Sequence, residues 1–237
     1  MAADLKGRVA LVTGVGPGLG QGIAVALARA GASVVVCDVN DEAIAATRKD
    51  AEGEGAECLA LRCDVSDSQA VREMFDAARA RFGSLHILVN NAALTPNRPV
   101  HTERRNRLYA YNSTPVQRDT LNFAAEITDE EWHRYWGVNV QGVFYCTREA
   151  LKLMQPVCRP RARTARTTAR PRGRSIAFTR SVAHEVAGAG ILVNSMAPGG
   201  VATPAFLGYL DAIGEEARNR LWQGCPTGRF GTIEEYV

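Results

Sequence analysis

The sequence predicts an α/β fold, a doubly wound parallel sheet in a single domain spanning residues 1–237. Three observations carry this expectation. Short runs rich in Val, Leu and Ile recur in the first half of the chain, at "RVALVTG", "SVVVCDV", "CLALRCDV" and "LHILVNNAA". Each of the first three is followed by a longer stretch with helical character. A glycine-rich turn, "TGVGPGLG", closes the first run and opens the first helix. The runs are continuously apolar rather than alternating, as strands covered on both faces must be. The chain of 237 residues is long enough to bury one substantial core.

The elements follow in order. Arg8–Gly14 is a buried strand, and Gly18–Gly31 is an apolar helix stopped by glycine. Ser33–Val39 is a second strand, followed by a polar helix, "DEAIAATRKDAEGEG". Cys58–Val65 is a third strand. The next helix opens at Ser66 or Asp67, either of which suits an N-cap, and ends at Gly83. Leu85–Ala93 is a fourth strand. Residues 94–127 break the rhythm with a long polar stretch, read as an insertion or a lid loop. The pattern resumes at Thr128–Met154, a long helix capped by Thr128 or Asp129, with Glu131 placed to complete a capping box. "SIAFTRSVAHEVAGAG" is helical, "ILVNSMAPGG" is a strand running into a turn, and one or two short helices follow.

"RPRARTARTTARPRGR", Arg159–Arg174, interrupts this order with seven arginines, no acid and no large apolar residue. Residues 155–174 are therefore expected to be irregular. No apolar run lies between Met154 and Ser175, and no strand pattern follows the last helices. The sheet is expected to lack one internal strand and the C-terminal strand.

Composition narrows the partners. The seven arginines of that segment exceed the net charge of the whole chain, +3, so the remainder is net acidic. Basicity this local does not argue for a nucleic-acid partner, and the segment has no aromatic residue for stacking on bases. No stretch has the roughly twenty apolar residues of a membrane span, and the N-terminus lacks the apolar core of a signal peptide. A cytoplasmic location without membrane association is expected. The six cysteines form no CxxC pair and read as free thiols. The four histidines show no metal spacing, so no metal site is expected.

The glycine turn carries the first chemistry. Gly14, Gly18 and Gly20, with Leu19 between the last two, let the backbone turn tightly, and the helix that opens there points free N–H groups and the positive end of its dipole at the loop. Strand, glycine turn and helix in that order form a pyrophosphate cradle. Asp38 ends the second strand about twenty residues further on, beside Val39, where a carboxylate accepts the ribose hydroxyls of an adenosine. A carboxylate there repels a 2′-phosphate, and Pro17 stands where a basic residue would welcome one. Both favour NAD over NADP.

These residues resemble the classical short-chain dehydrogenase/reductases. "TGVGPGLG" is similar to the family's T-G-x-x-x-G-x-G loop. "CDV" at Cys63–Val65 is similar to its adenine-contacting D-V element, which implies Asp64 and Val65. "NNAA" resembles N-N-A-G, implying Asn90 and Ala92, with Ala93 in place of the glycine. "VNVQGVF" resembles the helix that carries the active-site asparagine, which falls on Asn139. "VNSMAPGGVAT" resembles P-G-x-x-x-T, whose residues hold the nicotinamide carboxamide; that implies Pro198, Gly199, Val201 and Thr203. The resemblance implies a Rossmann-type domain and reversible hydride transfer between NAD(H) and an alcohol or carbonyl carbon of a small substrate. The family commonly assembles as dimers and tetramers through helices flanking the departing segment, which leaves a homo-oligomer open here.

The family's chemistry uses a serine, a tyrosine and a lysine four residues after it. The tyrosine passes a proton to or from the substrate oxygen, and the lysine ammonium lowers its pKa. This chain has no Tyr-x-x-x-Lys. Counting back from Thr179 places Thr168 in the tyrosine slot and Arg172 in the lysine slot. Three readings stand: a reading-frame artefact of G- and C-rich coding sequence, a disordered basic linker in a non-catalytic relative, and a basic patch that binds nucleic acid or phosphate. The expected function is an NAD-dependent oxidoreductase. The alternative is a non-catalytic NAD-binding protein or a frame-disrupted product.

Overall fold

The computed structural model describes residues 4–94, 102–104, 106–108, 120–154, 163–167, 174–213 and 215–237. Its centre is a parallel sheet of six strands: β1 (Val9–Thr13), β2 (Ser33–Asp38), β3 (Cys58–Arg62), β4 (Ile87–Asn90), β5 (Arg163–Thr167) and β6 (Ile191–Ser195). Their spatial order is β3-β2-β1-β4-β5-β6. The order reverses between β1 and β4, and such a switch point opens a crevice at the carboxyl ends of the strands.

The helices cover both faces. They are α1 (Leu19–Arg29), α2 (Asp41–Gly53), α3 (Ser68–Phe82), α4 (Phe123–Glu126), α5 (Asp129–Trp136), α6 (Val143–Met154), α7 (Arg174–Val186), α8 (Pro204–Ile213) and α9 (Glu215–Gln223). Alternation along each strand divides the core in two. Leu11, Val35, Cys37 and Leu88 face Val71 and Phe75 of α3, Cys146 and Leu153 of α6 and Val182 of α7. Val12, Val34, Val36 and Val89 face the small residues Ala24 and Ala28 of α1 and Ala51 of α2. Burying each Val or Leu fully contributes about 1.5–3 kcal/mol.

The predicted helix over Thr128–Met154 is present from Asp129, with a change of winding inside it. Thr128 caps α5 by accepting the Glu131 N–H at 3.1 Å. A π-helical segment, Gly137–Gly142, then joins α5 to α6. Within 94–127 the described residues are not featureless. Short helical pieces occupy 102–104 and 106–108. Arg104 reaches Glu131 at 3.0 Å and the Glu126 carbonyl at 3.0 Å, and Arg107 reaches the Glu126 carboxylate at 2.8 Å. These bonds fasten that stretch to the start of α5.

One expectation is corrected. The internal strand expected to be missing is present as β5, inside the arginine segment. It pairs with β4 from Ile87↔Thr164 to Asn90↔Thr167, and with β6 from Arg163↔Ile191 to Thr167↔Ser195. The reason is physical. A ladder is made of backbone N–H and C=O groups, which every residue but proline supplies, so β4 and β6 accept a strand without a large apolar side chain. Among the described residues no seventh strand joins the sheet; Val201 and Gly231 make an isolated bridge.

In this register Arg163 stands opposite Ile191 of β6, and Arg166 stands between Val89 of β4 and Asn194 of β6.

Candidate functional site

The crevice is built from the ends of β1 to β4. After Thr13 the chain turns through Gly14, whose φ of +70° is left-handed. A Cβ on Gly14 would stand 2.5 Å from the Ala92 Cα, so the turn lies directly against the segment leaving β4. A Cβ on Gly20 would fall onto the Gly14 carbonyl oxygen. The two glycines are thus required by close approach of backbones.

Thr13 and Asn91 hold this junction. The Thr13 hydroxyl is buried and accepts the Asn91 and Ala92 N–H groups, each at 3.1 Å. The Asn91 side-chain amide donates to the Gly14 carbonyl at 2.6 Å and to the Thr13 carbonyl at 3.2 Å. Sequence reasoning named neither as a site residue, although both lie inside the motifs quoted above. Asn90, which it did name, turns the other way: its amide donates to the Thr147 hydroxyl of α6 at 3.1 Å.

Gly18 is the N-cap of α1 and offers no side-chain acceptor, and Leu19 and Gly20 open the helix. Three other helices are capped from within: Asn40 caps α2, Asp67 caps α3 and Thr128 caps α5. The first-turn N–H groups of α1 therefore face the crevice end of the glycine turn without a capping side chain, as an anion cradle needs.

Asp38 stands across from the turn. One carboxylate oxygen accepts the Gly16 N–H at 3.1 Å; the other accepts those of Val39 at 2.8 Å and Asn40 at 3.0 Å. Asp64 follows β3 and accepts the Ser66 N–H at 2.9 Å and hydroxyl at 2.7 Å. Gly14, Asp38, Cys63, Asp64, Ala92 and Val138 are among the walls of a cleft of about 300 Å³. Val39 and Val65 also line it, and α5 adds His133 and Arg134.

Asn139 sits in the π segment and is buried. Its side-chain oxygen accepts the Leu94 N–H at 2.8 Å, and its amide donates to the Leu94 carbonyl at 3.2 Å. It thus clasps the backbone where the chain leaves β4. The loop after β6 carries Pro198, Gly199, Val201 and Thr203. A Cβ on Gly18 would lie 3.2 Å from the Thr203 methyl, which brings this loop against the glycine turn. Val201 bridges Gly231, and the Thr203 hydroxyl accepts the Phe206 N–H at 3.3 Å.

Thr168 and Arg172 lie outside the described residues. No lysine lines the cleft. Lys152 pairs with Glu149 at 2.6 Å with its side chain 62% exposed on α6. Tyr145 lies on the same helix under the Arg148 guanidinium, 5.4 Å from the ring centroid.

The comparisons with known proteins agree with this geometry. A family model described as short chain dehydrogenase matches residues 8–164. The chain is 31% identical over 255 residues to a short-chain type dehydrogenase/reductase of Picea abies, covering 98% of this chain and 83% of that protein. Its structure is similar, with a TM-score of 0.79 and 30% identity, to a putative short-chain alcohol dehydrogenase from Sinorhizobium meliloti, covering 99% of this chain and 88% of the other. It shares its fold, with a TM-score of 0.80 at 23% identity, with L-sorbose reductase from Gluconobacter frateurii complexed with NADPH and L-sorbose, over 100% of this chain and 89% of that one. With a family match over most of its length, the six-stranded parallel sheet and the glycine turn at its switch point, the chain is a member of the short-chain dehydrogenase/reductase family.

Proposed function

We propose that this chain is built as an NAD-dependent oxidoreductase that exchanges hydride between NAD(H) and an alcohol or ketone. The observation that carries the reading is the pairing of an uncapped α1 N-terminus with Asp38 across the glycine turn. The α1 N–H groups would hold the pyrophosphate, Asp38 the adenosine ribose, and Asp64 and Val65 the adenine. Gly199 and Thr203 would hold the carboxamide. NAD, when bound, supplies the acceptor for the hydride. The same fold carries NADPH in L-sorbose reductase, so the fold does not choose the nucleotide. Asp38 supports NAD, because its charge opposes a 2′-phosphate.

A second reading has its own observation. No tyrosine lies between Cys146 and Gly208, and the only lysines are Lys6, Lys49 and Lys152. A threonine hydroxyl is too weak an acid to serve as a phenol does, and a guanidinium stays charged. On this reading the chain binds NAD(H) without turning substrate over, either as a genuine non-catalytic protein or as a frame-disrupted product. NADH fluorescence titration combined with turnover of a panel of secondary alcohols separates the readings. Binding with turnover at family-like rates establishes the oxidoreductase; binding without turnover establishes the second reading; absence of binding defeats both. Resequencing the codons for residues 151–182 decides the frame, since compensating insertions and deletions would restore a serine and Tyr-x-x-x-Lys.

Two substitutions test the cradle. Asp38→Ser removes charge-assisted hydrogen bonds to the ribose, so the Kd for NADH is expected to rise about tenfold or more. The preference over NADPH should shrink in the same titrations. Gly20→Ala forces a methyl onto the Gly14 carbonyl. It is expected to abolish detectable NADH binding and to cost about 1–3 kcal/mol of stability, read by calorimetry and denaturant melts.

A further inference from the structure

The same tripeptide, "CDV", stands at the end of β2, Cys37–Val39, and directly after β3, Cys63–Val65. The aspartates face the cleft, and the cysteines before them form a pair beneath it. Cys37 pairs in register with Leu61, two residues before Cys63, so the two cysteines share one face of the sheet as diagonal neighbours. The Cys63 N–H donates to the Asp38 carbonyl at 3.0 Å, which draws the strand ends together. Both thiols belong to the same buried cluster, close enough for each to shift the other's ionisation. Cys63 also lines the cleft, which gives it an approach from solvent that Cys37 lacks.

We propose that Cys37 and Cys63 form a peroxide-driven thiol–disulfide switch under the nucleotide cleft. The nucleotide-dependent part of this rests on the reading that the cleft binds NAD(H). Cys63 attacks one oxygen of hydrogen peroxide; the O–O bond breaks, the sulfur becomes a sulfenic acid and water leaves. The Cys37 sulfur then attacks the Cys63 sulfur; the S–S bond forms, the S–O bond breaks and a second water leaves. The two thiols lose two electrons and the peroxide gains them.

The order of attack follows from the surroundings. The neighbouring Cys37 thiol holds the Cys63 thiol below its ordinary pKa, against the effect of its burial. The Cys37 thiol is held up by the neighbouring Cys63 and by burial. Cys63 is therefore the sulfur that ionises more readily and the one that a water-sized oxidant meets first. Closing the sulfurs to the ~2.05 Å of a disulfide pulls on the two strand ends that carry Asp38 and Asp64. Oxidation should weaken nucleotide binding, and a bound nucleotide should shield Cys63.

The test treats the full chain with hydrogen peroxide, blocks remaining thiols, and maps non-reduced tryptic peptides. Cleavage after Arg29, Arg48, Arg62 and Arg72 places the cysteines in separate peptides, Ala30–Arg48 and Cys63–Arg72. The expected product is these two peptides joined, lost on reduction with dithiothreitol and absent in Cys37→Ser and Cys63→Ala. The Kd for NADH is expected to rise at least threefold on oxidation and to recover on reduction, and saturating NADH should slow the linkage. The proposal is overturned if Cys63 is oxidised without the joined peptide while circular dichroism shows a folded chain. It is also overturned if the joined peptide leaves NADH affinity unchanged. A joined peptide in a chain that binds no NADH in either state defeats the switch and the NAD(H) reading, and leaves only a disulfide.

Discussion

The buried hydroxyl of Thr13 is the contact on which the crevice depends. It sits at the end of β1 and accepts two N–H groups from the chain leaving β4. Asn91 returns the connection by donating to the carbonyls of Thr13 and Gly14. Removing the hydroxyl while keeping its shape would leave Asn91 and Ala92 N–H groups without that acceptor, at about 1–3 kcal/mol for each buried group left unmade. With the junction in place, Gly14 must be left-handed and Gly20 must lack a side chain, because β1's exit and α1's start are pressed together. The position of the α1 N-terminus is therefore a consequence of a bond between β1 and the β4 exit.

Capping logic then divides the helix ends into structural and functional ones. Asn40, Asp67 and Thr128 supply acceptors to their own helices. Gly18 supplies none to α1. A protein gains about 1 kcal/mol from a good cap, so leaving one out where the backbone meets a cleft reserves the N–H groups for something else. Asp38 is treated in the opposite way. Its three backbone partners fix the carboxylate in one orientation before any ligand arrives. A carboxylate held in this way would lose little freedom on meeting a ligand.

Much of this was legible in the sequence. Continuous Val and Leu runs mark β1, β2 and β4 because parallel strands are buried twice over, and the glycine turn marks its own place between strand and helix. Thr128 was legible as a cap because a side-chain oxygen before an acidic first turn has few other uses. The π segment around Asn139 was not legible, since "GVNVQG" has ordinary helical composition and the extra residue per turn is decided by packing. Gly142 abuts Val65 there, and Asn139 clasps Leu94. The roles of Asn90 and Asn91 could not be separated by reading either, because alternation sends neighbours to opposite sides and only the pairing shows which side is the cleft. β5 was missed for a different reason. Apolarity reports what side chains bury, and the ladder that recruits Arg163–Thr167 is made by the backbone.

That last point bears on how the two functions of the fold come apart. The cofactor half closes its contacts among β1 to β4 and α1: Thr13 with Asn91, Gly14 with Ala92, Asp38 with Gly16. None of these contacts involves residues 155–174. The resemblance puts the tyrosine and lysine slots at Thr168 and Arg172, inside that segment. The contacts that shape the glycine turn therefore form among residues remote in sequence from those slots. β5 links the halves only through the sheet, ending at Thr167 between Asn90 and Ser195. Asn90 is tied in turn to Thr147 of α6. The strand thus delivers the arginine segment to the carboxyl edge of the sheet, the edge at which the crevice opens, whatever side chains that segment carries.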